Sequence, residues 1–473
     1  MSKPNILFFL TDQHSPRVAG CYGDKYVRTP TLDRLAREGV TFDACYCDNP
    51  LCVPSRMSLL TARHGHELGI WGNEDSLDST VPTLAHGFGI AGYRTVLVGR
   101  MHFVGGDQHH GFQERVVGDV TSQYTAMNRS EHRFRGFYGC RESLENAGAG
   151  NSFDLAYDTT VAMEARRVVR DHEVSGDPRP LFLMVSFYSP HDPYVMPAKD
   201  LAPYLDVDDE PVDAAPEAPH PFTKAQIEGG DYASVTADQR RRARAAYRAK
   251  TAFADGLMEQ VITDWQDSPL SEDTITVYTS DHGDMQGEHG IWAKGSFYDA
   301  SARVPLIIHA PERLPAGIRL SDPLGLVDLG ATLLEAADAP PLPNASGRSF
   351  WSACRGQSND WPGRVFSEQA ALNRGGPCRM IRQGPWKYCW YAEHEPELYN
   401  LEDDPGEMSN RAEDPDCAEI CTELKTRLFA DGWDPEQIRN AVQARQPDRA
   451  YLYKFARALE PADPYQWGLP AQL

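Results

Sequence analysis

Five unbroken apolar runs punctuate the first two-thirds of the chain. They are Asn5–Leu10 (NILFFL), Tyr93–Gly99 (YRTVLVG), Pro180–Tyr188 (PLFLMVSFY), Thr274–Ser280 (TITVYTS) and Val304–Ala310 (VPLIIHA). Each is continuous rather than alternating and is bounded by Gly, Pro or Asp, as suits a strand buried on both faces. Helix-period segments lie between them. Thr29–Val40 (TPTLDRLAREGV) offers a threonine cap, a proline in the first turn, Leu32 and Leu35 on one face, and Gly39 at its end. Asp238–Trp265 reads as a long helix with Tyr247, Ala254, Leu257 and Val261 on one face. Alternating strand and helix predicts an α/β fold, a large parallel or mixed sheet sandwiched by helices.

The pattern changes near Pro340–Ser349, a Pro/Ala/Gly-rich stretch. It divides an α/β domain, residues 1–345, from a smaller α+β domain, residues 346–473. The latter holds shorter strands in residues 378–391 (CRMIRQGPWKYCWY) and 396–401 (PELYNL), a helix near Cys417–Asp431, and a tail rich in Tyr, Trp and Arg. Asp206–Pro221, rich in Asp, Glu, Pro and Ala, reads as an exposed excursion.

The formal charge of −22 excludes nucleic acid and anionic membrane as partners, since both require a basic surface. An anionic substrate would need a locally basic pocket. No stretch is long and apolar enough to span a bilayer. The opening MSKPNILFFLTDQH passes straight into a strand-like run with no secretory pattern, so a cytoplasmic location is expected. The ten cysteines then read as free thiols. Cys417 and Cys421 can share a helical face, but no further cysteine pair or histidines accompany them, so no zinc site is assigned.

Ligands in open α/β sheets bind beyond the carboxyl ends of strands. Four of the runs end in chemistry-bearing residues: Asp12 and Gln13, Arg100 and His102, His191, and Asp281 and His282. Any one alone is more simply a turn former or a satisfied hydrogen-bonding residue. Together, Asp12, Gln13 and Asp281 are hard oxygen donors suited to Ca²⁺, Mg²⁺ or Mn²⁺, and His282 adds a nitrogen donor. Arg56, Arg100 and Lys294 can neutralise the oxygens of a sulfuryl or phosphoryl group. His102 and His191 can protonate a leaving alkoxide.

Asn49–His64 (NPLCVPSRMSLLTARH) carries Cys52 ahead of Pro54, Ser55 and Arg56 at fixed spacing. A buried structural thiol is the simplest account. However, CVPSR occurs together with Asp12, Ser280–Ile307 (SDHGDMQGEHGIWAKGSFYDASARVPLI) and Leu398–Asn410 (LYNLEDDPGEMSN). In this combination the chain resembles the type I, formylglycine-dependent sulfatases of the alkaline phosphatase superfamily. Gly99–Asp119 (GRMHFVGGDQHHGFQERVVGD), SPHDPY and the C-terminal Asp431–Pro461 stretch resemble the choline sulfatase and phosphonate monoester hydrolase branch.

The resemblance implies that Cys52 is oxidised to formylglycine by a formylglycine-generating enzyme. The two hydroxyls of the hydrated aldehyde let sulfate be expelled without a second attack on sulfur. It further implies that Asp12, Gln13, Cys52, Asp281 and His282 hold a divalent metal, calcium ahead of manganese or magnesium. Arg56 then orients the nucleophile, Asn73 and Arg100 contact substrate, and His102, His191 and Lys294 serve catalysis. The implied activity is hydrolysis of a small organic sulfate ester. A phosphonate monoester or phosphodiester hydrolase using the same site is the alternative. The tail implies a homodimer or homotetramer. Five departures from the family pattern are visible, and two of them are Val53 and Ala62, which stand where the signature has a small or polar residue and a glycine. Arg100 replaces a lysine, and local matching puts Met127 and Leu372 where choline sulfatases carry a tryptophan and an acidic residue that enclose the ammonium group.

Overall fold

The computed structural model describes residues 3–124, 140–207, 218–357, 361–459 and 463–468. Its first strands are β1 (Asn5–Asp12), β2 (Val40–Tyr46), β3 (Arg94–Gly99), β4 (Glu114–Arg115) and β5 (Gly148–Ala149). Next come β6 (Leu181–Pro190), β7 (Val195–Met196), β8 (Thr274–Ser280), β9 (Arg303–His309), β10 (Ile318–Leu320) and β11 (Leu324–Gly325). The last four are β12 (Arg364–Ala371), β13 (Gly376–Gln383), β14 (Trp386–Tyr391) and β15 (Glu397–Asn400).

Nine of these strands form one sheet in the order β10-β2-β9-β8-β1-β6-β3-β4, with β11 beside β2. The strands β8, β1, β6 and β3 are parallel neighbours, while β9 runs antiparallel to β2 and β8. The sheet is therefore mixed, and all five apolar runs lie in it. The side chains of β1 alternate between two cores. Ile6, Phe8 and Leu10 pack with Phe182 and Met184 on one face. Leu7 and Phe9 pack with Leu183, Val185 and the residues of two long helices on the other.

The strand β2 has no counterpart among the runs read from the sequence. Its half-buried Asp43 interrupts the apolar pattern, and the ladder to β9 shifts register between Phe42 and Cys45. The helix before it, Pro30–Glu38, is started differently from the expected threonine cap. Thr29 Oγ1 instead accepts from the Gly20 amide (3.0 Å). The amides of Thr31 and Leu32 donate to the carboxylate of Asp255 (3.1 and 2.9 Å). Asp255 lies on the long helix Ala237–Gln266, whose Tyr247, Ala254, Leu257 and Val261 are buried as the pattern requires. That helix opens with a capping box between Thr236 and Gln239.

The smaller antiparallel sheet runs β12-β13-β14-β15 and packs against the helices Ala418–Leu428 and Pro435–Leu459. The segment beyond them returns to the large sheet. Tyr465 O accepts from Asp119 N (2.8 Å), and Trp467 N donates to Asp119 O (2.7 Å). Residues 208–217 of the expected excursion, and Met127, lie outside the described residues. All ten cysteines are unpaired. Among the described residues, no helix is long and apolar enough to cross a membrane.

The helix Cys52–Thr61 is buried along its whole length, and the carboxylate of Asp48 fastens it. Asp48 Oδ2 accepts from Ser58 Oγ and Gly65 N (both 2.9 Å), while Oδ1 faces His64 Nδ1. Burial opposes the charged His64 imidazole, but the attraction and hydrogen bond of Asp48 prevail and raise it to about 9. A histidine whose folded pKa lies above its unfolded value of about 6.5 contributes stability fully below that value. The contribution is lost as pH rises through about 9. Unfolding in urea at increasing pH is therefore expected to show a decline of about 1–3 kcal/mol across this window, and His64→Gln is expected to flatten it.

Candidate active site

The parallel order β8, β1, β6, β3 sets four carboxyl ends side by side. Asp281 and His282 follow β8, Asp12 and Gln13 close β1, His191 follows β6, and Arg100 and His102 follow β3. Gln13 and His102 have positive φ (69° and 60°), so each strand breaks sharply where its functional group emerges. Cys52 is the first residue of its helix, with Leu51 at the N-cap, where the helix dipole favours a negative sulfur. Each site residue predicted on these elements lies at this one edge of the sheet. Asn73 is placed beside the helix start, its Oδ1 accepting from Val53 N (3.0 Å).

Asp12, Cys52, Asp281 and His282 are fully buried, and one donor atom from each lies within 4.8 Å of all the others. His282 Nε2 stands 3.2 Å from Cys52 Sγ, 3.7 Å from Asp12 Oδ1 and 3.6 Å from Asp281 Oδ1. Donors about 2.3–2.6 Å from a shared hard cation stand roughly 3.3–3.7 Å apart at right angles, so the spacing fits one ion. The outer groups fit as well. His282 Nδ1 donates to Gly283 O (3.0 Å), which turns Nε2 towards the cluster. Arg56 occupies the opposite carboxylate oxygens, donating from Nε to Asp281 Oδ2 (2.7 Å) and from Nη2 to Asp12 Oδ2 (3.1 Å). The amide of Gln13 is tethered at both ends. Its Oε1 accepts from Lys294 Nζ (2.6 Å) and its Nε2 donates to Asp284 Oδ2 (2.6 Å).

The cations ring this point. Arg100 Nε donates to Asp12 Oδ2 (2.5 Å), its Nη1 to Asp119 Oδ1 (2.6 Å) and its Nη2 to His102 Nδ1 (2.8 Å). Lys294 Nζ lies 2.7 Å from His191 Nε2, a distance that requires one shared proton between the two nitrogens. His191 Nδ1 in turn bonds to Asp192 O (2.8 Å) and faces its carboxylate (3.0 Å). Burial and Lys294 disfavour a second proton on His191, while Asp192 and Asp12 favour the one it holds. Asp12 is raised by burial and by Cys52, but Arg100, His191 and Arg56 bring it down to about 2. Burial would push the Cys52 thiol up. Lys294 and His282, with hydrogen bonds from His102 and His191, instead hold it well below the ordinary thiol range. The neighbouring buried thiols Cys45 and Cys47 lack such cations and are pushed up.

Three carboxylates act here that the sequence reading did not include in the site. Asp119 accepts from both Arg100 and the backbone N–H of His102 (2.7 Å), and so fixes the whole Arg100–His102 turn. It follows a strand of only two residues, too short for periodicity to reveal. Asp284 anchors Gln13, and its position three residues after Asp281 was the available signal. Asp192 orients His191 from the adjacent position.

In metal-free protein retaining the cysteine, the ultraviolet thiolate band is expected to persist below the ordinary thiol pKa of about 8.5. Cys52→Ala is expected to abolish the band, and Lys294→Met to shift its appearance to higher pH. Asp119→Ala strands part of a buried guanidinium and is expected to cost about 3 kcal/mol in urea unfolding.

Comparison with known proteins gives this geometry a lineage. A family model described as Sulfatase matches residues 4–339, and one described as N-sulphoglucosamine sulphohydrolase, C-terminal, matches residues 287–432. The choline-sulfatase of Rhizobium meliloti (strain 1021) is 33% identical, covering 96% of this chain and 92% of that protein. The arylsulfatase of Clostridium perfringens is 26% identical, covering 86% of this chain and 90% of that one. The crystal structure of the phosphonate monoester hydrolase of Agrobacterium radiobacter shares the fold with a TM-score of 0.75 at 22% identity, over 90% of this chain and 95% of that one. On the family match and the likeness along nearly its whole length, the chain belongs to the sulfatase family.

Proposed function

We propose that this protein hydrolyses a small organic sulfate ester to release inorganic sulfate, reacting at residue 52 after conversion of Cys52 to formylglycine. The observation that carries this reading is the buried convergence of Asp12, Cys52, Asp281 and His282 inside a ring of cations. The likeness to choline-sulfatase and arylsulfatase supports it. Asp12, Asp281 and His282, with Gln13 and the modified residue 52, would hold one divalent metal. The carboxylate and amide oxygens favour calcium, with manganese or magnesium as alternatives. When bound, the metal supplies Lewis acidity towards a sulfuryl oxygen, and the formylglycine hydrate supplies the nucleophilic oxygen.

The chain's own residues account for the remaining work. Arg56 holds both carboxylates in place and faces the start of the Cys52 helix. Arg100 stays charged at any working pH, so it binds sulfate oxygens and does not shuttle protons. His102 is hydrogen-bonded to residue 52 and orients its reacting atom. The proton between Lys294 and His191 is poised for the oxygen of the departing alcohol. Asn73 borders the same helix start and would steady the substrate.

Residues 1–345 would form the catalytic domain, and residues 346–473 a smaller domain with an oligomerising tail. Exposed Tyr451, Leu452, Phe455 and Leu459 on the last helix support assembly as a dimer or tetramer. Maturation would require a formylglycine-generating enzyme.

The test is a panel of aryl sulfate, phosphonate monoester and phosphodiester substrates, assayed with protein produced alongside that enzyme. Sulfate ester turnover should dominate and Cys52→Ala should abolish it. Chelation should remove it and added divalent metal should restore it. Replacing Lys294 with Met should lower kcat by about 100-fold, through loss of general acid catalysis. Preferential turnover of the phosphonate or phosphodiester would replace the sulfatase reading with that alternative.

A further inference from the structure

Next to Leu51, the residue before Cys52, lies a cavity of about 320 Å³. Gly72 and Glu74, which flank Asn73, form part of its wall, and Leu372 and Arg374 line it from the smaller domain. Arg374 also reaches the catalytic loop. Its Nη1 donates to Gly295 O (2.7 Å) and to Gln226 Oε1 (2.8 Å), and Gln226 Nε2 donates to Lys294 O (2.6 Å). Gly295, with φ +92°, permits this approach, because a Cβ there would lie 3.2 Å from Arg374 Nη2. The cavity therefore borders the residues next to Cys52 and Asn73, and Arg374 ties its wall to the loop that carries Lys294.

The charge of Arg374 is the unusual feature. Its remaining bond is from Nη2 to Gln369 Oε1 (3.2 Å), and its guanidinium lies 4.4 Å from the centroid of the Phe222 ring. Each of these partners is neutral, and among the described residues no carboxylate is within ion-pair distance of it. Largely buried guanidinium groups ordinarily have a counter-ion. The other charges on this wall do not provide one. Asp75 is occupied by Arg445 and Arg449, and Glu74 stands exposed at the rim. Leu372 contributes an apolar surface and no charge.

We propose that this cavity receives the part of the ester beyond the sulfate and that Arg374 pairs there with a second oxyanionic group of the substrate. The substrate class is then a sulfate ester that also carries a carboxylate or a further sulfate, rather than one carrying a cation. This inference rests on the sulfatase reading above, which supplies the position of the reacting ester.

The test uses the matured protein and four phenyl sulfates with a para carboxylate, a para second sulfate, a para methyl group or a para trimethylammonium group. The carboxylate or second-sulfate ester is expected to exceed the methyl ester in kcat/KM by about 10–100-fold, the scale of a charge-assisted hydrogen bond. Which of the two leads identifies the oxyanion. In Arg374→Met that ratio should collapse towards unity, and Arg374→Lys, which retains charge, should recover most of it. Equal turnover across the panel, preference for the ammonium ester, or a ratio unchanged in Arg374→Met would overturn the proposal.

If matured protein hydrolysed no sulfate ester, the sulfatase reading itself would fail. The cavity would then be judged by calorimetry with two stable sulfonates. Tighter binding of 4-carboxybenzenesulfonate than of 4-methylbenzenesulfonate, lost in Arg374→Met, would retain the anion site. Equal binding would end it.

Discussion

The guanidinium of Arg56 ties together all four central parallel strands. It donates to Asp281 after β8, to Asp12 on β1, to Ser186 Oγ on β6 (3.2 Å) and to the carbonyl of Arg100 after β3 (2.6 Å). It does so without any exposure to solvent. A buried charge of this kind is costly unless every donor is met, and its planar fork suits two carboxylates at once. The same bonds turn one oxygen of each carboxylate away and leave the other facing Cys52 and His282. Burial would depress Arg56, yet Asp281 and Asp12 outweigh it and raise it. The constellation is thus a network of mutually required charges, in which removing one member strands the others.

That network also reconciles an acidic protein with an anionic substrate. The chain carries a formal charge of −22, yet Arg56, Arg100 and Lys294 are gathered around one buried cluster at the carboxyl ends of the central strands. A local cluster of cations, backed by buried carboxylates, can hold an oxyanion that the surface as a whole repels. The second support ring, Asp119, Asp192 and Asp284, positions the groups that meet the ligand. Asp119 is itself held at its backbone by Tyr465 and Trp467, so the end of the chain bears on Arg100 and His102 through a single residue.

Much of this was legible from sequence, and for physical reasons. Strands buried on both faces must be continuously apolar, so β1, β3, β6, β8 and β9 announce themselves, and parallel strands expose their carboxyl ends together. What failed to register depended on distance or brevity. The strand β2 hides behind Asp43, whose carboxylate pairs with Arg319 at the sheet edge. The cap of the helix Pro30–Glu38 is Asp255, which comes from the long helix Ala237–Gln266 far along the chain, so no local motif could reveal it. Asp119 follows a strand of two residues. Arg374 becomes informative only when its neighbours are seen to be neutral, a property of the folded site and not of the sequence around it.

In the proposed reaction, position 52 works as an aldehyde and not as a thiol. Peptide mass spectrometry across Asn49–His64, on protein made in a host carrying the formylglycine-generating enzyme, tests it most directly. The expected peptide is one in which the thiol of Cys52 has been replaced by an aldehyde, together with its hydrate. An intact cysteine in protein from such a host would contradict it, and would return Cys52 to the role of a buried thiol among carboxylates.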